Sequence, residues 1–307
     1  MTENLGFTPQ WRTDPAREGT YRDALMFSPD ARSHPSDAWV SMFLDEFGIA
    51  PEDFVPSFPD GDVLIEGVPA SGLESEHRTA SEAIVGAENV SDTARDRVKF
   101  GHGKSLDEDI ALRLGQTPKL PDLVVHPRDK HDVAAIVAYC HEHRIPIIPV
   151  GAGSSVVIGT RADFGGVILV LRTHMNKLVS INEEDQTAVV QPGMMGPAYE
   201  AALNSRSHQL GAKRPWTGGH FPQSFELATV GGWVTALGSG QASTYYGDAY
   251  DLVVAQEYVT PIGTLTTRAY PAVANGPKVN DILKGSEGAL GILVEVTLKI
   301  FPHRPQN

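Results

Sequence analysis

One cysteine, Cys140, stands in a chain of 307 residues, so no disulfide can close within it, and a reducing compartment is expected. No apolar run approaches the ~20 residues of a membrane-spanning helix. The start, Met-Thr-Glu-Asn, lacks the basic and then apolar pattern of a signal peptide. A soluble, cytoplasmic protein is the expectation. Positive charge is scarce, and scarcest early: residues 1–95 hold 18 acids against six Arg and no Lys, whereas residues 96–307 hold 20 acids and 19 bases. With a net charge of −13 and no basic stripe, the chain does not read as a nucleic-acid binder. The acidic segment reads as a solvated face. No metal site and no internal repeat is evident.

What is present is an ordinary apolar share, 41%, and a length that suits about two domains. Residues 1–95 read as a mixed, partly helical segment. In it Asp37 caps a run whose Trp39, Met42, Phe43 and Phe47 share a face before Gly48 stops it. Ser91, and then Ser105 with Glu108 at capping-box spacing, predict two short helices flanking Gly101-His102-Gly103-Lys104-Ser105. From Pro121 the pattern is β-α-β. Leu123–Val125 is a strand, Asp129 caps a helix whose Val133, Ile136, Val137 and Cys140 fall on one face, and residues 145–150 form the next strand. Cys140 is thereby a core residue. A strand at 167–171 follows, then hairpins from 178–182 with 187–191 and from 252–260 with 264–268, and a helix opened by Pro197. Alternation of Val294, Val296, Leu298 and Ile300 with polar residues closes the chain with a half-buried strand.

Glycine is concentrated in three places. Val150 runs into Gly151-Ala-Gly-Ser-Ser155; residues 217–240 carry glycines at 218, 219, 231, 232, 238 and 240 among Ser and Thr; and Gly285-Ser-Glu-Gly-Ala-Leu-Gly-Ile292 precedes the last strand. Glycine lets a ligand approach the main chain closely, and short hydroxyl arms supply hydrogen bonds. The first loop lacks the third glycine of a dinucleotide fingerprint and the Lys of a Walker loop. Its successive N–H groups can still nest an anion such as a diphosphate.

In order and spacing, Pro149-Val-Gly-Ala-Gly-Ser-Ser, the run Ser-Phe-Glu-Leu-Ala-Thr-Val-Gly-Gly-Trp ending at Trp233, Tyr246-Gly247 with Asp251-Leu-Val, and Gly285-Ser-Glu-Gly-Ala-Leu-Gly-Ile resemble the FAD-binding domain of the vanillyl-alcohol oxidase and p-cresol methylhydroxylase superfamily. His220-x-Pro-x-Ser224 before Thr229-Val-Gly-Gly-Trp is most similar to the alkyldihydroxyacetonephosphate synthases and their bacterial relatives. The resemblance implies an α+β fold: a two-lobed FAD-binding domain over residues 96–307, preceded by the acidic segment 1–95. It implies that Pro149, Val150, Gly151, Ala152, Gly153, Ser154 and Ser155 wrap the FAD diphosphate. Gln223, Ser224, Thr229, Gly231 and Gly232 would line the flavin and ribityl chain. Ala236, Gly238 and Ser239 form a further contact, Glu287, Gly288 and Ile292 hold the adenosine end, and His220 stands near the isoalloxazine as the catalytic candidate.

Departures from the family pattern are Ala152 for Gly, Ala289 for Thr and Leu237 for Arg. With Ser154 and Ser155 in the loop and Cys140 on a helix, FAD is expected to be noncovalent. The family continues into a cap domain that completes the substrate site, and that cap is not expected within residues 1–307. The resemblance therefore implies a flavoenzyme of ether-lipid synthesis with a lipid-like substrate, working as a homodimer or with a separate chain that carries the cap. Two alternatives are an FAD-dependent dehydrogenase of a 2-hydroxy acid such as D-lactate or glycolate, and a noncatalytic FAD subunit. His102 and Lys104 read as part of a structural loop, and Tyr245 with Tyr246 as packing residues beside a turn.

Overall fold

A computed structural model describes residues 16–26, 37–50, 59, 61–117, 119–270 and 272–304. Helices α1 (Tyr21–Leu25) and α2 (Asp37–Phe47) lie in the acidic segment. Helix α2 ends where expected: Ile49 N–H turns back to the Leu44 carbonyl and Gly48 takes a φ of +61°.

Two sheets organise the rest. The first has the order β1-β2-β4-β3, from β1 (Val90–Ser91), β2 (Leu123–Val125), β3 (Ile147–Val150) and β4 (Val167–Val170). Strands β2, β4 and β3 are parallel, and β1 runs antiparallel to β2. Every residue of β2 and β4 is buried, as a parallel strand covered on both faces requires. Around this sheet stand α3 (Ser75–Val85), α4 (Ala94–Phe100), α5 (Leu106–Arg113) and α6 (Lys130–His143). The capping box at Ser105 and Glu108 forms as its spacing predicts, and Asp129 accepts from the His131 and Asp132 N–H groups at the start of α6.

Two expectations shift here. The cap of α4 is Thr93 rather than Ser91, whose hydroxyl is taken by Asp96. Val90 pairs with Val125 and Ser91 with Val124, so a division at 95/96 cuts through the first lobe, which begins near α3. A two-residue strand carries no periodicity and so leaves no mark in the sequence.

The second sheet is antiparallel, of order β5-β6-β10-β8-β9, from β5 (Leu178–Asn182), β6 (Thr187–Val190), β8 (Val253–Thr260), β9 (Gly263–Thr266) and β10 (Ile292–Lys299). A separate pair joins β7 (Trp216–Thr217) to β11 (Phe301–Pro302). Helices α7 (Gly196–Asn204), α8 (Val230–Ala236), α9 (Ser243–Tyr246), α10 (Ala249–Leu252) and α11 (Val279–Leu283) complete this lobe. The register of β10 against β8 shifts between Leu293 and Glu295. Such a shift turns side chains to a new face. Leu293, Val296 and Leu298 enter the core of the second lobe, while Ile292 and Val294 join Leu123, Val133, Ile136 and Cys140 in the core of the first. The lobes thus share one apolar junction, and Lys130 Nζ to Glu257 Oε1 at 3.0 Å adds an ion pair across it.

Candidate functional site

The three glycine-rich segments, far apart in sequence, meet at one cleft of about 430 Å³ between the lobes. Residues 149–157 leave β3 and form one wall; Pro222, Gln223, Ser224, Ala228 and Thr229 with the start of α8 form the second; Ala236, Gly238, Ser239, Glu287, Gly288 and Gly291 close the third side. A volume of this order is normal for a cofactor site.

Residues 230–236 are a poor helix on propensity, with two glycines and three β-branched side chains in seven positions. Tertiary packing makes the helix. Thr229, 1% exposed, caps it by accepting from the Gly232 N–H at 3.2 Å, while Val230, Trp233 and Val234 are buried. Gly231 N–H donates to the Pro192 carbonyl at 2.8 Å, and a Cβ on Gly231 would lie 2.5 Å from Pro192 Cβ, so only glycine lets α8 settle there. A Cβ on Gly151 would overlap Thr229 Oγ1. The first loop is therefore pressed against the start of α8, and main chain forms much of the wall. Ser155 Oγ accepts from Gly159 N–H at 3.3 Å, which folds the end of the loop back on itself.

Of the residues implied by the resemblance, all but two line the cleft. Ile292 is buried in the core shared by the lobes, and its neighbours Gly291 and Leu293 line the cleft instead. His220 stands behind the wall, 3% exposed. Its ring meets Trp233 edge-on at 5.0 Å, and Nε2 lies 3.6 Å from where a Gly238 Cβ would be. Neither ring nitrogen has a hydrogen-bond partner among the described residues. Burial lowers the imidazole from 6.5 to about 4, with Asp248 pulling weakly the other way. His220 is neutral at pH 7.

The segment leading to it is held by Glu200, buried on α7. Thr217 Oγ1 donates to Oε2 at 2.9 Å, Gly218 N–H to Oε1 at 2.7 Å and Asn204 Nδ2 to Oε2 at 2.9 Å. Burial raises the Glu200 carboxyl, and these donors oppose that rise. Sequence reading missed Glu200, and also Thr160, Pro192 and Trp233 in the cleft lining. Thr160 Oγ1 and Trp233 Nε1 are buried without partners among the described residues. Glycine density marks where backbone is exposed to a ligand, and carries no signal for the side chains between.

These features fit FAD: a wall in which Gly151, Gly231, Gly288 and Gly291 have no room for a Cβ, hydroxyls at Ser154, Ser155, Thr160 and Ser224, and unpartnered donors at Thr160 and Trp233. No group of three or more metal-ligating side chains occurs among the described residues, and no helix among them is long and apolar enough to cross a membrane.

Comparison with known proteins agrees. Residues 121–268 match the family model described as an FAD binding domain. The chain is 37% identical over 218 residues to alkyldihydroxyacetonephosphate synthase of Caenorhabditis elegans, which covers 70% of this chain and 35% of that protein. It is 30% identical over 221 residues to the glycolate oxidase subunit GlcD of Bacillus subtilis, covering 71% and 43%. A solved structure of an alkyldihydroxyacetonephosphate synthase superposes with a TM-score of 0.70 at 33% identity, over 78% of this chain and 43% of that one. p-Cresol methylhydroxylase with substrate bound shares the fold, with a TM-score of 0.59 at 21% identity over 76% and 44%. The chain spans less than half the length of each of these proteins. Its cleft and family match together make it a flavoprotein chain with an FAD binding domain and FAD as its cofactor, similar to the alkyldihydroxyacetonephosphate synthases and sharing its fold with p-cresol methylhydroxylase.

Proposed function

We propose that this chain is the cofactor-holding part of an enzyme of the alkyldihydroxyacetonephosphate synthase type, in which a fatty alcohol replaces the acyl group of an acyl-dihydroxyacetone phosphate. The observation that carries this reading is the convergence of residues 149–160, 222–239 and 287–293 on one cleft, in a chain 37% identical to such a synthase. Bound FAD supplies an electrophilic, redox-active ring, and the protein supplies position and electrostatics.

The main chain of Gly151–Ser155 would hold the diphosphate, Gln223, Ser224 and Thr229 the ribityl and flavin end, and Glu287 with Gly288 the adenosine end. His220, neutral and walled off by Gly238, would act as a positioning residue for the flavin wall. It exchanges no proton with substrate from there. The cleft lining contains neither Cys nor His, and Cys140 is enclosed in the core around α6, so FAD would be held noncovalently.

The test has two stages. Mixing the purified chain with FAD and passing it through a desalting column should leave a flavin band near the protein, and acid precipitation should then release the colour into the supernatant. No retained band would contradict the cofactor assignment; colour in the pellet would contradict noncovalent attachment. The complete protein should then incorporate labelled fatty alcohol into an ether product. The identity to a glycolate oxidase subunit supports a second reading, oxidation of a 2-hydroxy acid, and anaerobic bleaching of the flavin by glycolate or D-lactate would decide for it.

A further inference from the structure

Asparagine followed by glycine occurs once in the chain, at Asn275-Gly276. The pair stands between β9 and α11, in a stretch whose residues 272–279 are all exposed. Neither the Asn275 side-chain amide nor the Gly276 N–H makes a hydrogen bond among the described residues. Space around Gly276 is open: a Cβ placed there would meet only the Lys278 nitrogen, at 3.9 Å. A side-chain amide carbon followed by a free backbone nitrogen, with no Cβ beside that nitrogen to obstruct it, is the arrangement that closes most readily into a five-membered imide.

The other described asparagines are held differently. Asn89 is 6% exposed, donates to the Val85 carbonyl at 2.8 Å and is followed by the β-branched Val90. Asn204, on α7, donates to the Glu200 carbonyl at 2.9 Å, and Asn176 and Asn182 donate to the Arg172 carbonyl at 3.0 Å and to Asp185 Oδ2 at 2.8 Å. Asn280, at the start of α11, accepts from Gln256 Nε2 at 2.6 Å and donates to the Val253 and Val254 carbonyls at 3.3 Å. That last set also isolates the stretch containing Asn275. Thr267 N–H donates to the carbonyl of Gln256, itself 2% exposed, and Thr267 Oγ1 to Asn280 Oδ1 at 3.2 Å. Both ends of the exposed stretch are thus tied to one buried side chain on β8, and the residues between them can change without disturbing the sheet.

We propose that Asn275 is a site of spontaneous deamidation in the folded protein, through attack by the Gly276 nitrogen. That nitrogen gives its proton to solvent base and bonds to the Asn275 side-chain carbon; the bond from this carbon to the amide nitrogen breaks, and ammonia leaves. Water then opens the imide at either carbonyl, which yields aspartate or an isoaspartate whose main chain runs through the former side chain. Either product adds a negative charge to a chain already at −13. The test holds the purified chain in mildly alkaline buffer, with and without urea, and samples it over days by isoelectric focusing and by mass spectrometry of the tryptic peptide 269–278. A more acidic species should accumulate without urea, carrying the amide-to-acid mass change at Asn275 and containing isoaspartate, while Asn89, Asn204 and Asn280 convert only in urea. Gly276→Ala, for which there is room, should slow the conversion severalfold, because its methyl group obstructs the attacking nitrogen. Asn275→Asp should melt with the wild type. An Asn275 that stays intact while another asparagine of the folded chain converts would overturn the proposal. Conversion of Gly276→Ala as fast as the wild type would rule out the cyclic route, and a lowered melting point for Asn275→Asp would show that the stretch is not isolated from the sheet.

Discussion

Gly151 is packed so closely on Thr229 that a Cβ at residue 151 would occupy the place of the Thr229 hydroxyl oxygen. Gly151→Ala should destabilise the chain by about 1–3 kcal/mol through overpacking and weaken FAD binding more than tenfold. Thr229→Ala alone should cost about 1 kcal/mol, because the α8 cap is lost. The double variant should cost clearly less than the sum, because removing the hydroxyl makes room for the new methyl group. Urea unfolding of the four proteins measures this, and strict additivity would show that the clash is relieved elsewhere.

Acid should weaken the fold earlier than its carboxylates require. Burial lowers His220 to about 4 and His102 to about 3, against 6.5 for the free imidazole. Lys104 adds to the effect on His102. Both groups bind a proton more readily unfolded than folded, so stability is complete above pH 6.5 and declines as pH falls from there toward 4. The urea midpoint should drop between pH 7 and 5, and the drop should shrink in His220→Gln and His102→Gln. A flat midpoint across that range would show that neither ring is held neutral.

Cys140 is 1% exposed, and burial pushes its thiol up to about 12. A thiolate is the reactive form. In native conditions the aromatic disulfide reagent DTNB should therefore label it only as fast as the core opens, and in denaturant at once. Rapid labelling of the folded chain would contradict the packing of α6.

Glu200→Ala removes the acceptor for Thr217 Oγ1, Gly218 N–H and Asn204 Nδ2 together. Leaving buried donors unsatisfied costs about 1–3 kcal/mol for each group so stranded. The variant should lose at least about 2 kcal/mol, whereas Glu200→Gln, which keeps an oxygen for Gly218, should lose less. If the two are equally stable, the three bonds do not hold the segment before His220.

Much of this is legible in the sequence, and the reasons differ by residue. The helix of Val133, Ile136, Val137 and Cys140 announces itself through periodicity, and Ser105 with Glu108 through reciprocal capping. The cradle was legible because glycine is selected by close approach, as at Gly231 against Pro192. Helix α8 was not, because its propensity is poor and the partner that rescues it lies about forty residues away. Ile292 falls away from the cleft because the shift in β10 decides its face, and no alternation pattern encodes a bulge.

The apolar junction formed by Ile292, Val294 and Val259 with the helix and strands of the first lobe ties the two lobes together across the floor of their contact. Opening the cleft by swinging the lobes apart would expose that shared apolar surface to water. Entry and exit of a long dinucleotide then depend on excursions of the exposed rim, where Val156 and Val157 stand largely in solvent. A site of this kind would release its cofactor slowly, so dissociation times, more than equilibrium affinity, would describe its hold.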